Sequence, residues 1–289
     1  MEIIIKNLSF SQDQYFNKIY EKNQIVIHHT VSPSSKYTTS DGILGDVNYW
    51  GSNAERVATC SIIGSDGCAY KLFDSNLWAH HLGITTATFN KFGLPNINEE
   101  LNKHSIGIEL DSFGPLYYDS KSKVFKPAAP YLKNSGYTIK EENVIHYPNK
   151  YRGFEFYEKY TEEQINTLKI LLQDWCKKYD IPLKYNSDMW DISQDALTGV
   201  DGIWTHSSYR FDKQDCHPDP SLIKMLKSLT LNEPAEVINN IDPEIYTPTK
   251  PTVFTTSYSN RQAFNAKMKE LLNLNNIKDY EISVRRSHK

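Results

Sequence analysis

No stretch of this 289-residue chain approaches the roughly 18 consecutive apolar residues that a membrane-spanning helix needs, so no span is expected. Positive charge is not in surplus either. Lys and Arg number 32 against 35 Asp and Glu, a formal net charge of −3, which argues against nucleic acid as the main partner. The opening Met1-Glu2-Ile3-Ile4-Ile5-Lys6-Asn7 lacks a basic segment followed by a long apolar one, so the chain is expected to carry no secretory signal and to be cytoplasmic as synthesised. Cysteine is scarce: Cys60, Cys68, Cys176 and Cys216 are too few for a disulfide framework at this length. Cys60 and Cys68 flank an expected hairpin and are conceivable as a bridge, but reduced, half-buried thiols and a reducing compartment are the plainer reading. Internal repeats and low-complexity tracts are also lacking.

What is there suits a folded enzyme-sized protein. Hydrophobic residues make up 39% and charged residues 23%, enough for a packed core. The length allows one large domain with an appendage, or two small domains. Short apolar runs predict strands at Ile3 to Ile5, Gln24 to His28, Ser61 to Ile63, Ala69 to Phe73, Ser105 to Leu110 and Gly202 to His206. Asp66-Gly67 marks a hairpin turn between the third and fourth of these. A helix over 161–179 is predicted from Ile165, Leu168, Leu172, Trp175 and Tyr179 on one face, with Thr161 and Gln164 as a capping box. Asp219-Pro220 opens a short helix burying Leu222, Met225, Leu226 and Leu229. This order implies an α/β (α+β) architecture, a mixed sheet with helices packed on it.

Two stretches stand apart. Residues 112–159 are rich in Tyr, Lys, Pro and Asn with little periodicity, and read as a long inserted loop. Residues 231–289 begin with linker-like composition, including Thr247-Pro248-Thr249-Lys250-Pro251, and are expected to end in a small unit with a helix and a strand. Residues 1–230 would then form the main domain.

Candidate chemistry centres on histidine. His28 closes the apolar strand Ile25-Val26-Ile27-His28, and His206 follows another strand with Asp215 and Cys216 a short loop later. Strand ends of a rigid sheet hold metal ligands well, because zinc needs several neutral imidazoles or anionic groups converging on one point. Taken singly, each histidine is as readily a hydrogen-bonded residue at the edge of a core.

Taken together, the segments resemble the type 2 N-acetylmuramoyl-L-alanine amidases, a family that includes phage lysozyme-type amidases, peptidoglycan-recycling amidases and peptidoglycan recognition proteins. Val26-Ile27-His28-His29-Thr30 is similar to the first zinc-ligand strand, and Ile62-Ile63-Gly64-Ser65-Asp66-Gly67-Cys68-Ala69-Tyr70 to the family hairpin. Trp78-Ala79-His80-His81-Leu82-Gly83, His104-Ser105-Ile106-Gly107-Ile108-Glu109, Tyr160-Thr161-Glu162-Glu163-Gln164 and Thr205-His206 with Lys213-Gln214-Asp215 follow in the family order. The resemblance spans roughly residues 20–230 and implies the amidase and peptidoglycan-recognition fold, a Zn2+ cofactor, and peptidoglycan or muropeptides as substrate.

Carried over residue by residue, the resemblance makes His28, His206 and Asp215 zinc ligands, Glu109 the proton-transfer residue and Lys213 the stabiliser of the developing oxyanion. His29 would point to the other face of its strand. Spacing favours Asp215 over Cys216 as third ligand, although a thiolate also suits zinc. Many relatives carry a tyrosine on the hairpin strand; Thr59 stands there, which leaves the glutamate version of the chemistry. His81 and Trp78 match positions assigned to substrate binding, with a hydrogen bond behind a ligand as the other role for His81 and a structural histidine as the plain alternative. His80, His104 and His146 are given no role. Trp50, Trp190 and Trp204 could stack on sugars or simply fill the core, and Tyr117, Tyr118 and Tyr131 could line a glycan groove. The implied activity is that of a cell-wall-lytic amidase, released or delivered to the wall; a recycling enzyme or a non-catalytic peptidoglycan binder are the alternatives.

Overall fold

The computed structural model describes residues 3–8, 10–33, 41–52 and 54–229. The linker and C-terminal unit expected over 231–289 lie outside the described residues. The strand Gln24–His29 (β2) is buried along its whole length, as is Ser105–Leu110 (β5) beside it. Such continuous apolar runs are what a strand covered on both faces requires. With Ile5–Asn7 (β1), Ser61–Ile63 (β3), Ala69–Lys71 (β4) and Gly202–Thr205 (β10), they form a six-stranded sheet in the order β1-β4-β3-β5-β2-β10. The four strands β3, β5, β2 and β10 run parallel. The edge pair runs the other way, because β4 meets β3 in an antiparallel hairpin and β1 lies parallel to β4. The sheet is therefore mixed, as expected. The first strand begins later than Ile3, which is itself buried beside it.

The described helices are Asp41–Gly51 (α1), Thr86–Lys91 (α2), Asn98–His104 (α3), Glu162–Tyr179 (α4), Gln194–Leu197 (α5) and Pro220–Lys227 (α6). The helix α4 has the expected capping box: Thr161 accepts from the Gln164 amide while the Gln164 side chain accepts from the Thr161 amide. It buries Ile165, Leu168, Leu172 and Trp175 against the core. Asp219 caps α6 by accepting from the Ser221 amide at 2.7 Å, and Pro220 occupies the first turn. None of the described helices is long and apolar enough to cross a membrane. All four cysteines are buried and free, so the hairpin flanked by Cys60 and Cys68 is not bridged.

Residues 112–159 depart from the expected loop. They contain Pro115–Asp119 (β6), Val124–Pro127 (β7), Val144–Tyr151 (β8) and Phe154–Glu158 (β9), an antiparallel sheet in the order β7-β6-β9-β8. Its small core is Phe113, Leu116, Ala129, Leu132 and Ile139. Period-two patterning is blurred here because β8 carries Pro148 on an edge strand and a register shift between His146 and Tyr151. The buried Glu158 carboxylate closes the insert, accepting from the Phe113 amide at 2.6 Å and the Ser112 hydroxyl at 3.1 Å. At the β8–β9 turn, Arg152 donates to the Ser207 carbonyl at 2.9 Å, while the Tyr151 hydroxyl donates to Ser207 Oγ at 2.8 Å. The insert thus braces the loop that follows β10.

Gln164 ties α4 to the sheet from a fully buried position. Its amide donates to the carbonyls of Ile63 at 3.1 Å and Asp111 at 2.9 Å. Replacing it by Leu removes both donors and leaves those acceptors short of a partner. Gln164→Leu should cost about 1–3 kcal/mol in denaturant unfolding; an unchanged midpoint would show that the tie contributes nothing.

Candidate metal centre

Because β2, β5 and β10 are parallel neighbours, their C-terminal ends share one edge of the sheet, where open α/β sheets commonly form their sites. His28 sits in register opposite Glu109, and Thr205 of β10 pairs with Ile27, so His206 leaves the sheet beside His28. The loop after His206 returns Asp215, held by a hydrogen bond of 2.9 Å from the Ser207 amide to the Asp215 carbonyl. Three donor atoms then converge. His28 Nδ1 lies 3.0 Å from His206 Nδ1, and Asp215 Oδ2 lies 3.1 Å from the first and 2.8 Å from the second. All three residues are buried, and among the described residues they are the one such group of metal-ligating side chains.

The donor set fits zinc. Ligands about 2.0–2.1 Å from a tetrahedral ion stand roughly 3.4 Å apart, close to the separations here. His206 Nε2 faces the Leu82 carbonyl at 2.8 Å, which can only accept, so the proton sits on Nε2 and Nδ1 presents a lone pair to the centre. Two imidazoles and a carboxylate leave a fourth position open, the catalytic pattern. Burial and the neighbouring His206 lower the His28 pKa to about 4, keeping it in its ligating neutral form.

A cleft of about 350 Å³ opens over these atoms, lined by His28, Thr59, Glu109, Lys213 and Asp215 with Trp50 and Tyr131 among its walls. Glu109 Oε2 is buried in it without a hydrogen-bond partner. Burial, then the charges of Asp215 and Asp46, push the Glu109 carboxyl well above its ordinary range, with Lys213 opposing. A group held this way takes up a proton readily, as an acid–base residue must. A somewhat larger cleft of about 420 Å³ lies between the β1–β4–β3 edge and α4, but its charges, such as the Lys71–Asp74 ion pair, do not converge on one point.

The structure brings His28, His206, Asp215, Glu109 and Lys213 together, with Thr59 on the same wall. The Cys216 thiol turns away to Tyr160, donating to its hydroxyl at 2.9 Å, and His29 meets that hydroxyl at 2.8 Å from the other side. His81 lines the cleft, yet both its ring nitrogens are engaged, by His28 at 3.0 Å and Ser105 at 2.8 Å. Trp78 does not line it: the ring is buried and stacked on Phe16, centroids 3.9 Å apart. Trp204 is core and Trp190 packs against the core, whereas Trp50 and Tyr131 reach the cleft. Sequence reasoning missed Asp46 on α1, whose carboxylate accepts from the Ser32 hydroxyl at 2.7 Å. Its signal is faint: one acidic residue in a helix that was not foreseen.

The sequence profile of a family described as N-acetylmuramoyl-L-alanine amidase matches residues 19–221. No curated protein matches the chain. Among solved structures, PlyL is similar at 15% identity and TM-score 0.41, over 79% of this chain and 98% of that one. The N-acetylmuramoyl-L-alanine amidase LysC from Clostridium intestinale URNW is similar at 12% identity and TM-score 0.37, over 76% and 93%. A selenomethionine derivative of AmpD is similar at 14% identity and TM-score 0.37, over 78% and 93%.

Asp46 generates a pH prediction. Burial, opposed by Ser32 and assisted by Asp111, raises its pKa to about 7. For an acid raised on folding, the associated stability is present below the unfolded value of 3.8 and is lost as pH rises through 7. Metal-free Asp46→Asn should therefore gain on the wild type between pH 5 and pH 8, by roughly 1–2 kcal/mol once partial exposure is allowed for. Parallel stability profiles over that interval would contradict the assignment.

Proposed function

This chain belongs to the N-acetylmuramoyl-L-alanine amidase family, and on that premise we propose that it is a zinc-dependent, cell-wall-lytic hydrolase of the bond between N-acetylmuramic acid and L-alanine in peptidoglycan. The observation that carries the zinc reading is the convergence of His28 Nδ1, His206 Nδ1 and Asp215 Oδ2 beside the unpartnered Glu109 Oε2. Residues 1–230 are the hydrolytic unit in this reading, which the matched range 19–221 supports. The lytic role draws support from the further 59 residues at 231–289, which a minimal muropeptide-recycling amidase does not need.

His28, His206 and Asp215 would hold the metal. Bound zinc supplies a water of lowered pKa and polarises the scissile carbonyl. Glu109 takes the proton from the attacking water and passes it to the nitrogen of L-alanine as the carbon–nitrogen bond breaks. The new carbon–oxygen bond leaves a carboxylate on the lactyl group of the muramic acid and a free amine on the peptide. Lys213 faces the negative charge that builds on the former carbonyl oxygen. Trp50 and Tyr131 offer flat apolar surfaces at the cleft walls for the sugar or stem peptide. The complete donor set with Glu109 and Lys213 beside it is more than a non-catalytic peptidoglycan binder requires.

Elemental analysis of the purified protein should find one zinc per chain. Glu109→Ala should retain that zinc while turnover on cell-wall fragments falls by about 10²–10⁴. Purified wild type that holds no zinc and leaves substrate intact would overturn the reading, and an unchanged rate in Glu109→Ala would remove Glu109 from its role.

A further inference from the structure

The two metal-facing histidines have their outer nitrogens on adjacent residues of one short segment. His206 Nε2 donates to the Leu82 carbonyl at 2.8 Å, and His28 Nε2 lies 3.0 Å from His81 Nδ1. The direction of the second contact follows from the hydrogen bonds behind it. The Ser105 hydroxyl donates to the Leu101 carbonyl at 2.7 Å, which leaves its oxygen to accept from His81 Nε2 at 2.8 Å. With its proton on Nε2, His81 offers a lone pair at Nδ1, and His28 must donate from Nε2. The His28 Nδ1 lone pair is thereby turned to the centre, matching His206 on the other side.

The segment itself is fixed from below. The fully buried Asn102 on α3 accepts from the amides of both His81, at 2.8 Å, and Leu82, at 3.1 Å, and donates to the Asn98 carbonyl at 2.7 Å. Space for the His81 ring comes from Gly107 in the middle of β5. A Cβ there would stand 3.0 Å from His81 Cγ and Nδ1 and 2.9 Å from Thr59 Cγ2.

We propose that His81–Leu82, anchored by Asn102, is a clamp that sets the tautomer and orientation of both histidine ligands, with His81 and Ser105 as positioning residues rather than substrate contacts. The clamp rests on the zinc reading above. Its chemistry is that of an acceptor behind each ligand imidazole, which orients the ring and strengthens it as a donor.

The test measures zinc affinity of the full chain by competition with a chromophoric chelator, together with the visible spectrum of the cobalt-substituted protein. His81→Phe keeps a flat ring but has no acceptor, and should weaken zinc about 10–100-fold and alter the cobalt bands. His81→Asn places its side-chain oxygen near the position of Nδ1, and should stay within about 3-fold of wild type by the same reasoning. Ser105→Ala leaves the ring in place but frees its tautomer, and should fall between the two while Ser105→Thr retains wild-type affinity. Thermal melting of each metal-free variant separates misfolding from loss of the acceptor, and the serine pair carries the test should His81→Phe fail to fold. Equal affinity in wild type, His81→Phe and Ser105→Ala would overturn the clamp alone, as would equal losses in His81→Phe and a folded His81→Asn. A wild type that takes up no zinc would overturn the metal reading and the clamp with it.

Discussion

Holding two imidazole nitrogens and a carboxylate oxygen within 3.1 Å of one another, away from solvent, is unfavourable unless a cation joins them. The surrounding fold is arranged to sustain that crowding. Parallel pairing of β10, β2 and β5 delivers His206, His28 and Glu109 to one edge of the sheet, so the backbone ladder sets their spacing. The Leu82 carbonyl turns one lone pair inward, and Asp215 closes the group from a loop bonded to Ser207. The same burial that makes the group costly without a cation also raises the Glu109 carboxyl beside it, so one environment acts on all four side chains.

The insert after β5 contributes from outside. Glu158 closes it onto Ser112 and Phe113, and its β8–β9 turn holds Ser207 through Tyr151 and Arg152. Ser207 in turn bonds the backbone of Asp215. Tyr131, also in the insert, donates to the Val31 carbonyl just beyond β2 and forms part of the cleft wall. The insert therefore supports the loop that carries Asp215 and narrows the cleft, two tasks that a loose loop would perform poorly.

Much of the sheet was legible in the sequence because its central strands are buried on both faces and read as short apolar runs, Ile25-Val26-Ile27 and Ile106-Gly107-Ile108 among them. The helix α4 announced itself through its capping box and its apolar face. The insert did not, since an edge proline and a register shift erase the alternation that identifies a strand. At the centre, the ordered motifs named residues that the fold brings together: Asp215 lies beside His28 and His206, while the Cys216 thiol turns to Tyr160. Hydrogen-bond direction was beyond the sequence. That His81 has both ring nitrogens occupied, and that Trp78 is stacked on Phe16 instead of lining the cleft, depends on contacts between residues far apart in the chain.

In the proposed reaction this edge of the sheet opens one bond, the amide joining muramic acid to the first residue of the stem peptide. Purified sacculi digested with the zinc-loaded protein, with the soluble products resolved by mass spectrometry and amino-terminal labelling, test it most directly. The digest should contain stem peptides beginning with a free L-alanine amine, and glycan strands whose lactyl groups end in carboxylates. Products cut within the glycan or within the peptide, with the muramic acid–alanine bond intact, would contradict it.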